Sequence, residues 1–205
     1  EIVGRTLARL RATYCGYYNL GEPFLSPRIR EELEILRRHN PGMHILISTN
    51  GLALDSPQKQ EAALLADHVL FSIDGVCTPM VRRYQRGGDF DRAYHNMKNL
   101  VALRNRRGSP KPCISWKYVV FRWNDHPATV RQAIRLARLA GVDCLQFTFA
   151  RNPLTAVSWR FLLSSFFRSL GEASGWRIRN VWLNRPGFGD PLCHAGSPER
   201  THRAA

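Results

Sequence analysis

Polar residues stand at the ends of four successive predicted strands in this 205-residue chain. In parallel βα folds, the carboxyl ends of the strands carry the binding and catalytic groups. Asn-Gly and Asp-Gly also favour tight turns, which would explain any one of these segments by itself. Four in succession instead predict a polar ligand at one rim of the fold. The segments are Asn19-Leu20-Gly21-Glu22-Pro23, Ser48-Thr49-Asn50-Gly51, Ser72-Ile73-Asp74-Gly75 and Arg122-Trp123-Asn124-Asp125.

The residue types suit a ligand that carries an amino group, a carboxylate and hydroxyls. Glu22 and nearby carbonyls offer acceptors to a cationic amino group. Gly21 allows the backbone to approach a ligand closely, and Pro23 stiffens the loop. Ser72 and the Arg-rich segment 82–88 offer a hydroxyl and cations to a carboxylate.

Short apolar runs alternate with helical patterns along the chain, which is the rhythm of parallel βα units. Right-handed crossovers then give either an open doubly wound sheet or a barrel. The segment after Gly171 is rich in Gly and Pro, so we expect it to be largely irregular. Predicted strands cover 14–18, 44–48, 69–73, 113–121 and 144–149, and predicted helices cover 28–38, 127–140 and 158–170 and begin at Ser56-Pro57 and after Asp89.

The formal net charge of +14 admits an anionic partner such as a nucleic acid. The basic residues are mostly Arg, however, and they are spread over the whole length. The denser groups fall at predicted helix ends, where positive charge complements the helix dipole. We therefore keep a basic nucleic-acid-associated module only as an alternative.

The chain contains five cysteines, at positions 15, 77, 113, 144 and 193, with no CxxC spacing. Neither an export signal nor an apolar run long enough to span a membrane is present in this sequence. We therefore expect a cytoplasmic protein with reduced thiols, and we interpret the first four cysteines as small apolar residues.

The ordered set of segments resembles the radical S-adenosylmethionine (SAM) superfamily, and in particular the branch that often bears a SPASM extension. The resemblance covers residues 10–150. It rests on Gly21-Glu22-Pro23, Ser48-Thr49-Asn50-Gly51, Ser72-Ile73-Asp74-Gly75, Tyr84-Gln85-Arg86-Gly87-Gly88-Asp89-Phe90, Trp116 to Asp125, and Gly141-Val142-Asp143.

The resemblance implies a partial (β/α)6 TIM-like barrel that binds SAM and a [4Fe-4S] cluster and generates a 5′-deoxyadenosyl radical. An external electron donor such as a flavodoxin or ferredoxin would supply the electron, and the substrate would be a small molecule or a peptide. Glu22 matches the residue that receives the SAM amino group. Ser72 and an Arg of the 83–86 stretch, preferably Arg86, match the carboxylate contacts. The remaining residues assigned to the SAM pocket are Gly21, Pro23, Asn50, Asp74 and Asn124.

The chain departs from the family because it contains no CxxxCxxC segment. We expect the first strand and the cluster loop to lie upstream of residue 1, so that the chain is a barrel truncated at its N-terminus. Cys193 is a weak candidate for an auxiliary-cluster ligand. We expect the chain alone to be inactive: anaerobic reconstitution with iron and sulfide should yield no 5′-deoxyadenosine.

The sequence thus predicts an incomplete radical SAM barrel over residues 1–170 and an irregular segment over 171–205. The full-length parent would be an enzyme of the maturase or methyltransferase type. A non-radical βα protein that binds an anionic small molecule at the same rim is the other alternative.

Overall fold

Six parallel strands form a single sheet whose spatial order follows the chain order. The computed structural model describes residues 1–17, 21–150, 154–163, 165–167, 169 and 178–181, the last of these by their backbone alone. The strands are β1 (Tyr14–Tyr17), β2 (His44–Thr49), β3 (His68–Ser72), β4 (Cys113–Val120), β5 (Cys144–Phe149) and β6 (Ile178–Val181).

The strand order decides between the two topologies that the sequence left open. A doubly wound sheet reverses its strand order at a switch point. Here each strand instead pairs with the next one along the chain, from β1 through β6. The predicted fold class, an α/β partial TIM-like barrel, is confirmed.

Helices connect the strands, and their ends follow the sequence signals. Ser56 Oγ accepts a hydrogen bond from the Lys59 amide, and the Asp89 carboxylate accepts one from the Arg92 amide. No helix in the described part of the chain is long and apolar enough to cross a membrane. The helices are α1 (Ile2–Arg9), α2 (Ile29–His39), α3 (Pro57–Ala63), α4 (Thr78–Arg82), α5 (Phe90–Arg106), α6 (Pro127–Ala140) and α7 (Trp159–Leu163).

The two faces of the sheet differ in chemistry. Side chains alternate along a strand, so register-paired residues of neighbouring parallel strands share a face. The outer face carries Ile47, Phe71 and Trp116, each with no exposed surface, and it forms the hydrophobic core with the helices. The opposite face, here called the inner face, carries half-exposed polar residues such as Ser72 and Lys117. A polar ligand is therefore best accommodated on the inner face.

β6 corrects one expectation. We expected residues 171–205 to be irregular, yet Ile178–Val181 pairs in parallel with β5. The strand signal is weak because Arg179 and Asn180 interrupt the β-branched residues Ile178 and Val181. The rest of this segment lies outside the described residues.

Two aspartates, Asp67 buried and Asp143 half-exposed, anchor the amino ends of the strands. Asp67 precedes β3, accepts a hydrogen bond from the Ile45 amide at 2.8 Å, and pairs with Arg37. Asp143 precedes β5, accepts one from the Ile114 amide at 2.7 Å, and pairs with Arg104. In both cases the Arg comes from a helix, so each aspartate ties a helix to two strands.

Candidate functional site

A continuous series of contacts joins the four polar segments at the carboxyl ends of the strands. Glu22, after β1, bonds to the end of β2. Ser48 of β2 bonds to Ser72 of β3, and Asn124, after β4, bonds to Asp74 after β3. The predicted rim therefore exists as one connected structure.

Glu22 occupies the first position of this rim and is half-exposed. One of its carboxylate oxygens accepts from Thr49 Oγ1 at 2.6 Å and from the Phe24 amide at 3.3 Å. The other accepts from the Asn50 amide at 2.7 Å. A carboxylate has about four acceptor positions, so Glu22 retains capacity for a cationic group of a ligand.

The neighbours of Glu22 keep the loop open on one side. Pro23 begins a short 3-10 turn for which the Glu22 carboxylate is the N-terminal cap. Gly21 is exposed, and a Cβ added there would meet no heavy atom within 4 Å. A ligand could thus reach the loop backbone at Gly21.

Asn50 and Ser72 continue the rim over β2 and β3, and both are half-exposed. Asn50 Oδ1 accepts from the Leu52 amide at 2.8 Å, which leaves its side-chain NH2 group as a donor. The Ser72 hydroxyl lies 3.4 Å from the Ser48 hydroxyl. Both residues can therefore offer a polar group to a ligand.

Asp74 is buried, with only 2% of its surface exposed. Its Oδ1 accepts from the Val119 amide at 2.8 Å, and its Oδ2 accepts from Gln85 Nε2 at 3.1 Å. Burial raises the pKa of the Asp74 carboxyl to about 6, although the Val119 amide, the Lys117 charge and the Gln85 amide each lower it. Asp74 connects β3 to β4 beneath the rim.

The Arg-rich stretch contains a supporting residue, Gln85, and exposed cations. Gln85 donates from Nε2 to the Ser72 carbonyl at 3.0 Å as well as to Asp74, so it braces the end of β3. Arg86 and Arg83 are both exposed. Arg82 donates from Nε to the Gly88 carbonyl at 3.0 Å and closes the turn that carries them.

Asn124 has no exposed surface, and its side chain is fully engaged with backbone groups. Its Nδ2 donates to the carbonyls of Asp74 and Val119, each at 3.0 Å. Its Oδ1 accepts from the Phe121 amide at 2.7 Å. The resemblance implies a position near the adenosine of SAM for Asn124, which stays a prediction, and both N–H groups of its side chain already donate within the protein. Asn124 is placed to fix the loop after β4 against the end of β3.

Sequence reasoning did not assign Lys117, Gln85 or Thr49 to the site. Lys117 was not assigned because it stands inside a strongly β-forming segment, between Trp116 and Tyr118, and not at a strand end. A period-two pattern would have placed it opposite those two buried aromatic residues, on the inner face.

The described residues offer no group of three or more His, Cys, Asp or Glu side chains that could hold a metal ion. Cys15 is half-buried and Cys144 is buried, which agrees with their interpretation as apolar residues, whereas Cys77 is exposed and does not. Cys113 is disulfide-bonded, so the expectation of a reduced thiol is wrong at this position. Cys193 lies outside the described residues. The described side chains fit SAM-type polar groups and do not fit a [4Fe-4S] cluster.

No family model and no curated protein matches the sequence. Among solved structures, SuiB of Streptococcus suis bound to S-adenosylmethionine is similar over 78% of this chain and 37% of its own, with a TM-score of 0.58 and 12% identity. A structure of anSMEcpe with bound AdoMet is similar over 87% of this chain and 52% of its own, with a TM-score of 0.59 and 17% identity. A radical SAM methyltransferase from Sphaerobacter thermophilus is similar over 87% and 54%, with a TM-score of 0.56 and 18% identity.

The chain shares its fold with radical SAM enzymes. It spans roughly a third to a half of the length of these structures, which are 37% to 54% covered. The similarity at this level of identity concerns the barrel, and it agrees with the fold that the resemblance implied.

Proposed function

We propose that this chain is the SAM-binding part of the barrel of a radical SAM enzyme. The observation that carries the proposal is the Glu22 carboxylate. It is half-exposed at the rim of a sequential parallel sheet and is held in place by the Thr49 hydroxyl and the Asn50 amide. Fixed and accessible, it is suited to accept hydrogen bonds from the SAM ammonium group.

The other groups of the rim complete the ligand's recognition. The Ser72 hydroxyl and the Arg86 guanidinium would bind the SAM carboxylate, and Asn50 would bind a hydroxyl of the ribose. Asp74, Gln85 and Asn124 would hold these elements in position from below, since their polar atoms bond to the ends of β3 and β4.

In a complete enzyme of this type, the [4Fe-4S] cluster supplies the electron that cleaves SAM. We propose that its cysteine ligands come from a CxxxCxxC segment that this sequence does not contain. An external flavodoxin or ferredoxin would then be the electron donor.

One structural neighbour bears on the substrate. Another SuiB structure, with a TM-score of 0.60, is bound to the precursor peptide SuiA. A peptide is therefore the first substrate class to test for the full-length parent, and maturation or methylation is the reaction class.

Calorimetric titration of the chain with SAM tests the proposal. We expect the wild-type chain to bind SAM and Glu22→Gln to weaken binding at least tenfold, because the variant removes the charge that faces the ammonium group. Glu31→Gln is the matched control: Glu31 is exposed on α2 and, among the described residues, forms an ion pair with Arg28 alone. Equal SAM affinity in wild type and Glu22→Gln would refute the assignment of Glu22, and lack of binding by the wild type would refute the proposed function.

A further inference from the structure

The polar side chains on the inner face of the sheet fall into two groups. Over β2, β3 and the first half of β4 they bond to one another: Ser48 lies 3.4 Å from Ser72, and His68 Nε2 lies 2.9 Å from Ser115 Oγ. Farther along, on β4 and β5, Lys117, Gln146 and Thr148 have no side-chain hydrogen bond or ion pair with any described residue.

These three residues are neighbours on the inner face. Lys117 is register-paired with Gln146, and Thr148 follows Gln146 by two residues and so shares its face. Thr148 Oγ1 is buried without a hydrogen-bond partner, and Gln146 is only 8% exposed. Buried polar groups are normally paired, so the unpaired Thr148 hydroxyl, beside Gln146 and the half-exposed Lys117, indicates a ligand that supplies its partner.

Asp74 does not neutralise Lys117. The Lys117 charge lowers the pKa of the Asp74 carboxyl, but no ion pair within 4.0 Å joins the two residues. The Asp74 oxygens instead accept hydrogen bonds from the Val119 amide and from Gln85 Nε2. The half-buried Lys117 ammonium is therefore available to an external anion.

We propose that Lys117, assisted by Gln146 and Thr148, binds an anionic group of the substrate, either a carboxylate or a phosphate. An ammonium, an amide NH2 group and a hydroxyl are suitable donors to such oxygens. This inference rests on the proposed function for its assignment to a substrate. Ser72 is register-paired with Lys117, so the cluster borders the proposed contact for the SAM carboxylate. The assignment to the substrate follows from Gln146 and Thr148, which lie on β5, two strands beyond Ser72.

Calorimetric titration of the 205-residue chain with inorganic phosphate, at constant ionic strength, tests whether the cluster binds an anion. We expect Lys117→Met to weaken phosphate binding at least tenfold and Lys117→Arg to retain most of it. Lys98→Met is the control, because it removes the same charge from an exposed residue of α5, and it should change the affinity less than twofold. Gln146→Leu, which keeps Lys117, should weaken binding severalfold.

A second phosphate titration, with SAM present at saturation, shows whether the cluster binds an anion of the substrate or the carboxylate of SAM. We expect phosphate affinity to stay the same and Lys117→Met to bind SAM like the wild type. Competition by SAM, together with a tenfold loss of SAM affinity in Lys117→Met, would assign the anion to the cofactor's carboxylate and overturn the substrate assignment. Absence of phosphate binding, or equal binding by Lys117→Met, would overturn the site itself. If the wild type binds phosphate as expected and does not bind SAM, the proposed function fails while the anion site stands.

Discussion

At the residue scale, the two carboxylates of the rim have different environments and therefore different roles. Glu22 is half-exposed and keeps acceptor capacity toward the open side of the loop. Asp74 is 2% exposed and bonds only to protein groups. Its pKa is raised to about 6, first of all by burial. Glu22 is thus suited to bind a ligand, whereas Asp74 is suited to couple the ends of β3 and β4.

The raised pKa of Asp74 predicts a pH-dependent stability. An aspartate ionises near about pH 4 in the unfolded chain, and Asp74 does so at about 6 in the folded protein. Between these values the folded state binds more protons, so ionisation of Asp74 lowers the free energy of unfolding as the pH rises. Asp74→Asn removes this dependence. We expect the variant to gain about 2 kcal/mol relative to wild type between pH 4 and pH 7 in urea unfolding.

His68 provides a control of opposite sign for that experiment. Burial lowers the pKa of the His68 imidazole to about 4 in the folded protein. The neutral imidazole therefore stabilises the fold, and this stabilisation is lost as the pH falls below the pKa of His68 in the unfolded chain. His68→Gln should therefore gain stability relative to wild type on acidification. A difference between Asp74→Asn and wild type that does not change with pH would contradict the assigned Asp74 ionisation.

At the element scale, local signals located most of the structure. The predicted strand 144–149 coincides with β5, and the predicted caps Ser56, Asp89 and Gly141 lie at the ends of α3, α5 and α6. Caps and apolar periodicity depend on neighbouring residues, so the sequence alone carries them. β6 was missed because its pairing with β5 is a long-range contact that its own composition barely signals.

The roles of Gln85 and Asn124 could not be predicted for a related reason. Both act through side chains that reach the end of β3 from distant segments. Motif resemblance placed Asn124 near the ligand, but the direction of its side chain depends on the loop after β4. Which polar residues contact a ligand and which support it is therefore decided by tertiary packing.

Asp67 permits a stability test at this scale, since it joins α2, β2 and the segment before β4. Burial alone would raise the pKa of its carboxyl, but hydrogen bonds from Lys111, Arg37 and the Ile45 amide lower it to about 2. Asp67→Asn should lower the free energy of unfolding by about 3 kcal/mol at pH 7, because Arg37 loses its buried partner. Urea unfolding monitored by circular dichroism measures this effect.

The expected pH dependence of this variant has a definite sign. Because the pKa of Asp67 is lower in the folded protein, its carboxylate stabilises the fold above the unfolded pKa of about 4. This contribution to the free energy of unfolding is lost as the pH falls toward about 2. The difference between wild type and Asp67→Asn should therefore shrink below pH 4. Asp55→Asn, in an exposed pair with Lys59 and Arg92, should cost less than about 1 kcal/mol. Equal effects of the two substitutions would contradict the anchoring role of Asp67.

At the scale of the whole molecule, the groups that stabilise the fold and the groups that could bind a ligand lie at opposite ends of the sheet. The ion pairs of Asp67 and Asp143 lie before the strands, and the polar rim from Glu22 to Asp74 lies after them. The outer face of the sheet packs against helices, and the inner face carries the remaining polar groups. This division between the two ends of the strands is expected of parallel βα barrels, in which ligands bind at the carboxyl ends.

Mapping of SAM onto the chain by amide chemical-shift changes in 1H–15N NMR spectra tests the central claim most directly. We predict that SAM shifts the amides after β1, β2 and β3, with the largest changes near Gly21, Asn50 and Ser72. The amides of Ile45 and Ile114, bound to the aspartates at the opposite end, should stay unchanged. Shifts confined to that opposite end, or no shifts at saturating SAM, would contradict SAM binding at the carboxyl ends of the strands.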